Sequence, residues 1–341
     1  MRSGDVRRLA WTLATTGALL AAPAVAQGPK PPVVPTLAKI AYAPPGPADS
    51  QGHLLDLYIP TDAGAPLPVV VWTGGSAWMA ENGRMSAGWV AERLNPAGYV
   101  VAGVSIRSSG NAPFPAQLHD IKAAIRWLRA NAGAHGLDPS RIAIMGDSSG
   151  GWTAVMAAVT GDVPELEGDV GLREGSSAVR AAVAFYPPTD FLQMDAHAIG
   201  GCRDGVGTDG AFCHDGADSP ESRLVGCAIQ TCPEVVQRAN PIRYISNDDP
   251  PLLILHGGAD RLVPFHQGEL LYEALSTACH DATFVALPHA GHGPFQAFLA
   301  DPATRSGAML RSTGSGCQHH GPQPVTPTWA TVTEFLDRTM K

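Results

Sequence analysis

Short apolar runs alternate with longer amphipathic stretches along most of the chain, and this alternation constrains the fold more than any other feature. The runs that predict strands are LLDLYI (54–59), LPVVVW (67–72), YVVAGVSI (99–106), RIAIM (141–145), VRAAVAFY (179–186), PLLILH (251–256) and ATFVAL (282–287). Helices are predicted over 115–132, 149–159, 266–278 and 328–340. Apolar strands separated by helices are typical of a mostly parallel sheet covered on both faces. We therefore predict an α/β fold whose chemistry lies in loops at the carboxyl ends of the strands.

The first 26 residues differ from the rest and predict a secretory signal peptide. Three arginines precede the apolar run LAWTLATTGALLAAPAVA, which ends in small residues. A membrane anchor is the alternative, but the run is short and contains Pro23. Residues 27–50 are rich in proline and alanine and predict a loosely held arm, so that 51–341 forms the domain itself. We expect no membrane span after signal removal and a secreted or periplasmic protein.

Charge and cysteine content narrow the class of protein. Without the first 26 residues the chain carries 20 basic and 30 acidic side chains, which makes nucleic acid an unsuitable partner. All six cysteines follow the predicted signal, where an even number indicates disulfides. Six cysteines allow fifteen pairings, and the sequence does not choose among them, although the shorter loops suggest 202 with 213, 227 with 232 and 279 with 317. A zinc site is the alternative, but no ligand-spaced pairs support it. The oligomeric state is not indicated.

One region departs from the alternation of strands and helices. Residues 195–235 are rich in glycine, aspartate and cysteine and have weak periodicity. We predict a disulfide-bearing insertion over the sheet, because the segment lacks apolar residues for a core of its own. It is expected either to cover a binding site or to decorate the surface.

The segment IAIMGDSSGGW (142–152) contains the pattern G-x-S-x-G around Ser148. It joins a predicted strand to a predicted helix, so Ser148 is expected on a tight turn above the sheet. The N–H of Ser149 and the helix N-terminus then face any oxygen that gains negative charge. A plain glycine turn without a reactive serine is the alternative.

A serine hydroxyl needs a base to take its proton, and the base needs an orienting carboxylate. Asp260 follows the strand PLLILH within GGADRLVPF, and His292 follows ATFVAL within PHAGHG. The order Ser148, Asp260, His292 is that of α/β-hydrolases, with each residue after a different strand.

Other residues compete for these roles. His289 also follows ATFVAL, but it comes directly after a proline, whereas the preferred histidine lies between glycines. Asp190 in YPPTDF follows a strand and is the alternative acid. Asp248 and Asp249 precede their strand and are expected in a turn or on the solvated surface.

The segment VVVWTGGSAWMAENG (69–83) places small residues after a strand, where backbone N–H groups can stabilise an oxyanion. The predicted donors are Gly75, Ser76 and Ser149. A glycine turn that binds nothing is the alternative. The aromatic side chains predicted either to line an acyl or aryl pocket or to pack in the core are Trp78, Trp152 and Phe295.

These motifs together resemble those of bacterial α/β-hydrolases related to acetyl-xylan and feruloyl esterases and to the hormone-sensitive-lipase type. The matching segments, within about 53–300, are GDSSGG, HGGADRLVPF, AGHG, FPAQLHDIKAAIRWLRANA, YPPTDFLQMD, DSPESRLVG and RANPIRYI. The resemblance implies an α/β-hydrolase catalytic domain with a triad of Ser148, His292 and Asp260. It also implies an acyl-enzyme mechanism with no metal or organic cofactor.

The chain departs from this family at the oxyanion segment, which usually begins with histidine in an HGGGW-like run. Thr73 or Gly74 stands there instead, so the donor register is open by one residue. The expected substrates are small acyl or aryl esters, including acetyl or feruloyl groups on plant polysaccharide. A serine peptidase of the prolyl-peptidase type and a non-catalytic binding protein are the alternatives. The second of these predicts loss of a triad member.

Overall fold

A ten-stranded mixed sheet forms the centre of the computed structural model, which describes residues 33–341 except 62, 63, 65, 162, 204 and 315. The predicted signal peptide lies outside the described residues. The strands are β1 (Leu37–Ala41), β2 (Leu54–Tyr58), β3 (Leu67–Thr73), β4 (Val100–Val104), β5 (Leu137–Asp147), β6 (Ala182–Phe185), β7 (Cys202–Arg203), β8 (Val206–Gly207), β9 (Leu252–Gly257), β10 (Ala282–Leu287), β11 (Met309–Thr313) and β12 (His319–Pro324). Strands β7 and β8 form a separate hairpin.

The strand order in the sheet is β1-β2-β4-β3-β5-β6-β9-β10-β11-β12. The six strands from β4 to β10 in this order are parallel, and an antiparallel pair adds to each side. In β3 the valines 69, 70 and 71 are fully buried, because both faces of the parallel region are covered. The fold class predicted from the sequence is therefore confirmed.

Helices cover both faces of the sheet. They are α1 (Ala87–Leu94), α2 (Ala116–Ala130), α3 (Ala132–His135), α4 (Ser149–Val159), α5 (Pro220–Val225), α6 (Pro233–Arg238), α7 (His266–Thr277), α8 (Phe295–Phe298) and α9 (Trp329–Met340). Short 3₁₀ helices span Gly83–Ser86, Asn95–Ala97, Pro164–Leu166, Phe191–Gln193, Asp195–His197, Ile229–Thr231 and Pro241–Tyr244. Helices α2, α4 and α7 enclose one apolar core, and α1, α8 and α9 enclose the other. Within the described residues, no helix has the length and apolar character needed to cross a membrane.

The two sheet margins differ from the buried middle. The loosely held arm predicted over 27–50 does not hold for Leu37–Ala41, which pairs antiparallel with β2. That pairing is irregular between Leu37 and Ile40, and Lys39 there has a φ of 54°. At the other margin β12 is exposed along its whole length and contains Pro322 and Pro324.

Three disulfides pair 202 with 213, 227 with 232, and 279 with 317, which is the set that the shorter loops suggest and that the sequence left open among fifteen. The first two lie in the predicted insertion. The third ties the end of α7 to the turn between β11 and β12.

Candidate active site

Ser148 lies on a strained turn between β5 and α4. Its φ of 53° and ψ of −126° are conformations that an L-residue rarely adopts. A Cβ on Gly146 would overlap the carbonyl of Gly150, and a Cβ on Gly150 would overlap the carbonyl of Thr73. Both flanking glycines are therefore required by close backbone contacts, and the turn projects the serine above the carboxyl edge of the sheet.

Ser148, His292 and Asp260 form one continuous hydrogen-bonded chain. His292 Nε2 lies 3.0 Å from Ser148 Oγ, and His292 Nδ1 lies 2.8 Å from Asp260 Oδ2. With the proton on Nδ1, the imidazole donates to the carboxylate and accepts the serine O–H at Nε2. The three residues come from loops after β5, β9 and β10, so the parallel topology brings them together.

Asp260 is fully buried and its second oxygen is also occupied. Oδ1 accepts the backbone N–H groups of Leu262 and Val263, each at 2.9 Å. Beneath it, burial lowers the pKa of His256 to about 4, so this imidazole is neutral at pH 7. His256 Nε2 lies 3.1 Å from the carbonyl of Val263, to which it donates when protonated there. The loop that carries the carboxylate is thus held from two sides.

The competing residues lie elsewhere. Asp190 is the N-cap of a 3₁₀ helix, where it accepts the N–H of Leu192 and the side-chain amide of Gln193. Asp249 accepts the N–H and hydroxyl of Ser246 in a turn, as expected for a residue before its strand. His289 is exposed, and within the described residues it makes no hydrogen bond to the triad.

The backbone N–H groups after β3 are directed differently from the sequence prediction. The N–H of Gly75 donates to Asp147 Oδ1 at 2.8 Å, and the N–H of Ser76 donates to Ser149 Oγ at 2.9 Å. In the part of the chain that the structure describes, no protein acceptor receives the N–H of Ala77 or of Ser149. Ala77 lines the cavity beside Ser148. These two N–H groups are therefore the ones available to an oxyanion, one residue along from the predicted register.

Asp147 and Tyr186 were missed by the sequence prediction. Asp147 accepts the hydroxyl of Tyr186 at 3.2 Å as well as the N–H of Gly75. Burial raises the pKa of the Asp147 carboxyl, although both hydrogen bonds oppose the shift. The ring of Tyr186 packs on His292 with 4.6 Å between centroids. The sequence signal for Asp147 was a carboxyl next to the serine in GDSSGG, and the signal for Tyr186 was a tyrosine directly after β6.

A cavity of about 470 Å³ opens above Ser148. Phe295 lines it together with Leu262 and Pro294, and its ring is also buried in the core against Trp72. Trp78 and Trp152 are almost completely buried and pack edge to face in an aromatic cluster with Phe191. These two tryptophans belong to the core and do not line this cavity.

The insertion at 195–235 lies against the loop that carries Asp260. His214 Nε2 lies 2.9 Å from the carbonyl of Leu262, which lines the cavity, and Arg261 donates to the carbonyl of Asp209 at 2.9 Å. His214 Nδ1 also lies 2.8 Å from Glu221 Oε2, and both side chains are buried. Asp195 is close to the sulfurs of one disulfide in this region, but those sulfurs are not thiolates and do not form a zinc site.

The sheet order, the strained serine and the Ser–His–Asp chain define the class as α/β-hydrolase. The chain belongs to the BD-FAE family, whose model matches residues 55–275. This match confirms the resemblance identified from the sequence motifs.

Curated relatives carry esterase names. The chain is 30% identical over 248 residues to Esterase LipC of Mycobacterium tuberculosis, covering 72% of this chain and 58% of that protein. It is 28% identical over 231 residues to the Probable carboxylic ester hydrolase LipM of the same organism, covering 66% and 49%. The chain thus spans about half to three fifths of the length of these relatives.

A solved structure matches over nearly its whole length. A truncated form of a carbohydrate esterase from gut microbiota is 30% identical, with a TM-score of 0.73 that covers 91% of this chain and 99% of the other. A bifunctional GH43-CE of Bacteroides eggerthii is 37% identical, with a TM-score of 0.66 that covers 76% and 35%.

Proposed function

We propose that this protein is a serine carboxylic-ester hydrolase that acts through an acyl-enzyme on short acyl esters of carbohydrates. The observation that carries the proposal is the chain Ser148–His292–Asp260, with contacts of 3.0 and 2.8 Å, at an open cavity of about 470 Å³. The presence of all three residues argues against a binding protein that has lost its chemistry.

The first half of the reaction transfers the acyl group to the enzyme. The carbonyl oxygen of the ester lies toward the N–H groups of Ala77 and Ser149, which stabilise the negative charge of the tetrahedral intermediate. Ser148 Oγ attacks the carbonyl carbon while His292 Nε2 takes its proton. Asp260 stabilises the imidazolium. The intermediate then collapses, the bond to the alcohol oxygen breaks, and His292 returns the proton to that oxygen.

The second half releases the acid. Water enters after the alcohol leaves, and His292 takes a proton from it during attack on the acyl carbon. The bond to Ser148 Oγ breaks as His292 protonates this oxygen. The products are one carboxylic acid and the original enzyme, so no other reactant is required.

Two observations support the substrate class. The cavity combines apolar groups from Leu262, Pro294 and Phe295 with an open mouth, which suits a small acyl group on a large alcohol. A solved structure that is 30% identical and covers 91% of this chain is described as a carbohydrate esterase. The proposed substrates are acetyl esters of plant polysaccharide. Feruloyl esters are the alternative, and activity on methyl ferulate measures it.

The disulfides support an exported location. All six cysteines are paired, and such bonds persist in oxidising compartments. Together with the predicted signal peptide, this favours a secreted or periplasmic enzyme that meets polymeric substrates outside the cytoplasm.

The test compares the wild type with Ser148→Ala and with Ser177→Ala, which removes a buried hydroxyl bonded to Glu167, away from the triad. Substrates are p-nitrophenyl esters from acetate to octanoate, methyl ferulate and acetylated xylan. We expect the wild type and Ser177→Ala to release acetate from xylan, and Ser148→Ala to lose activity by about 10⁴-fold or more.

A fluorophosphonate probe supplies a second measurement. Wild type should gain one adduct on the peptide that contains Ser148, and Ser148→Ala should gain none. A folded, disulfide-bonded wild type that hydrolyses none of these esters and takes up no probe would overturn the proposal. Cleavage of prolyl peptides in place of esters would instead establish the peptidase alternative.

A further inference from the structure

The residues that flank Ser148 in sequence hold the loop opposite it. We define the oxyanion loop as residues 74–78. Asp147 Oδ1 accepts the N–H of Gly75 at 2.8 Å. Ser149 Oγ accepts two N–H groups of the same loop, from Ser76 at 2.9 Å and from Trp78 at 3.3 Å. The N–H that lies between these last two, on Ala77, is the one left for an oxyanion.

We propose that the side chain of Ser149 is a positioning residue that sets the distance between the two oxyanion donors. The inference rests on the proposed function for its catalytic consequence, but the contacts that carry it are independent of activity. One residue supplies a donor through its backbone N–H and anchors the neighbours on both sides of the other donor through its hydroxyl. The hydroxyl of Ser149, directly after the nucleophile in sequence, therefore restricts movement of the oxyanion loop relative to α4.

The geometry of the loop explains why such an anchor is needed. Ala77 and Trp78 have φ values of 52° and 56°, in the left-handed region that non-glycine residues seldom occupy. Surrounding contacts must hold this conformation. A hydroxyl oxygen has two lone pairs and can accept both N–H groups, whereas an alanine at position 149 would accept neither. Ser149 is only 4% exposed, so water has little access to replace these bonds.

The space beside Gly74, at the start of this loop, is occupied by the side chain of Ser86. A Cβ on Gly74 would lie 2.5 Å from Ser86 Oγ, which accepts the indole N–H of Trp72 at 2.9 Å. A larger side chain at position 74 therefore cannot enter without displacing Ser86. The N–H of Gly74 itself donates to the carbonyl of Gly83 at 3.0 Å. The N–H groups of Gly75, Ser76 and Trp78 are ordered by side chains outside the loop, those of Asp147 and Ser149.

The test uses Ser149→Ala with Thr153→Ala as the matched control. Thr153 lies one turn further along α4 and is also fully buried, but its hydroxyl donates to the carbonyl of Ser149 and does not contact the loop. Amide hydrogen exchange of the intact protein measures the anchor directly. In Ser149→Ala we expect the amides of Ser76 and Trp78 to exchange about three- to tenfold faster than in wild type, as for loss of a typical hydrogen bond. Thr153→Ala should leave both unchanged.

Kinetics measure the consequence for catalysis. Loss of one oxyanion donor lowers kcat by about 10²–10³-fold, so a donor that is displaced but present should cost about 10-fold or more. We expect kcat for p-nitrophenyl acetate to fall by this factor in Ser149→Ala with KM within about twofold. A boronic acid that forms a tetrahedral adduct with the serine should lose affinity by a similar factor.

The outcomes separate the two proposals. Unchanged exchange at Ser76 and Trp78, or equal losses of kcat in Thr153→Ala, would overturn the anchor. Faster exchange with an unchanged kcat would also reject the positioning role. If the wild type hydrolyses no ester while the exchange difference is present, the proposed function fails and the structural anchor is supported.

Discussion

Replacement of Asp260 by asparagine should remove most of the rate while leaving the fold intact. The buried carboxylate is 2.8 Å from His292 Nδ1, and its other oxygen accepts two backbone N–H groups. Asparagine keeps a carbonyl oxygen for the N–H groups of Leu262 and Val263. Its amide, however, offers a donor to a ring nitrogen that must itself donate, so the imidazole is held in the wrong tautomer.

The size of the loss follows from the charge that disappears. An imidazolium and a carboxylate about 4 Å apart attract by about 4 kcal/mol at an effective dielectric constant of 20. This stabilisation is present only after His292 has taken the serine proton, so its loss lowers kcat by about 10³-fold. The tautomer effect adds to it, and we expect a total of about 10³–10⁴-fold.

The assay is the kcat for p-nitrophenyl acetate at pH 7–8, with circular dichroism and the thermal midpoint as checks of folding. Asp190→Asn is the matched control, because Asp190 is also an aspartate after a strand but caps Leu192 away from the triad. Its kcat should stay within about twofold of wild type. Retention of more than a tenth of the activity in a folded Asp260→Asn protein would refute the assigned role, as would an equal loss in the control.

Two further predictions concern stability. Gly150→Ala should lower the free energy of unfolding by more than about 3 kcal/mol, because its Cβ would overlap the carbonyl of Thr73. Gly133→Ala in α3 meets nothing within 4 Å and should raise it by up to about 1 kcal/mol. Urea unfolding measures both changes, and similar midpoints for the two variants would contradict the steric explanation. Burial opposes protonation of His214, but the hydrogen bond and charge of Glu221 outweigh it and raise the pKa of His214. Its contribution to stability is therefore fully present below the unfolded value of about 6.5 and is lost as pH rises through the higher folded pKa. The difference in unfolding free energy between wild type and His214→Gln should shrink between pH 6 and pH 9, and a difference that does not change with pH would reject this assignment.

The parts of the fold that could be predicted are those in which local pattern and burial agree. The run LPVVVW was predicted as a strand over 67–72 and is observed over Leu67–Thr73, because continuous apolar character is what a strand buried on both faces requires. Strand β12 was missed, since its exposed segment HHGPQP carries two prolines and no apolar alternation. Leu37–Ala41 was missed for a related reason, because it lies among prolines on an exposed margin.

The candidate site divides in the same way. The three residues of the Ser–His–Asp chain could be chosen because each follows a different parallel strand, and topology then determines that they meet. The donors could not be chosen to the residue, because the direction of each N–H depends on left-handed turns at Ala77 and Trp78 and on side chains from another segment. The places of Trp78 and Trp152 could not be predicted either, because an aromatic residue close to a nucleophile in sequence can line the pocket or pack in the core, and both of these pack in the core.

The two margins of the sheet bear on how the molecule behaves at high concentration. A free strand edge is a template on which another molecule can add a strand and begin aggregation. Here one edge carries a lysine within an irregular pairing, and the other carries two prolines that have no N–H to offer. Within the described residues, both edges of the ten-stranded sheet therefore disfavour the addition of a strand from another molecule.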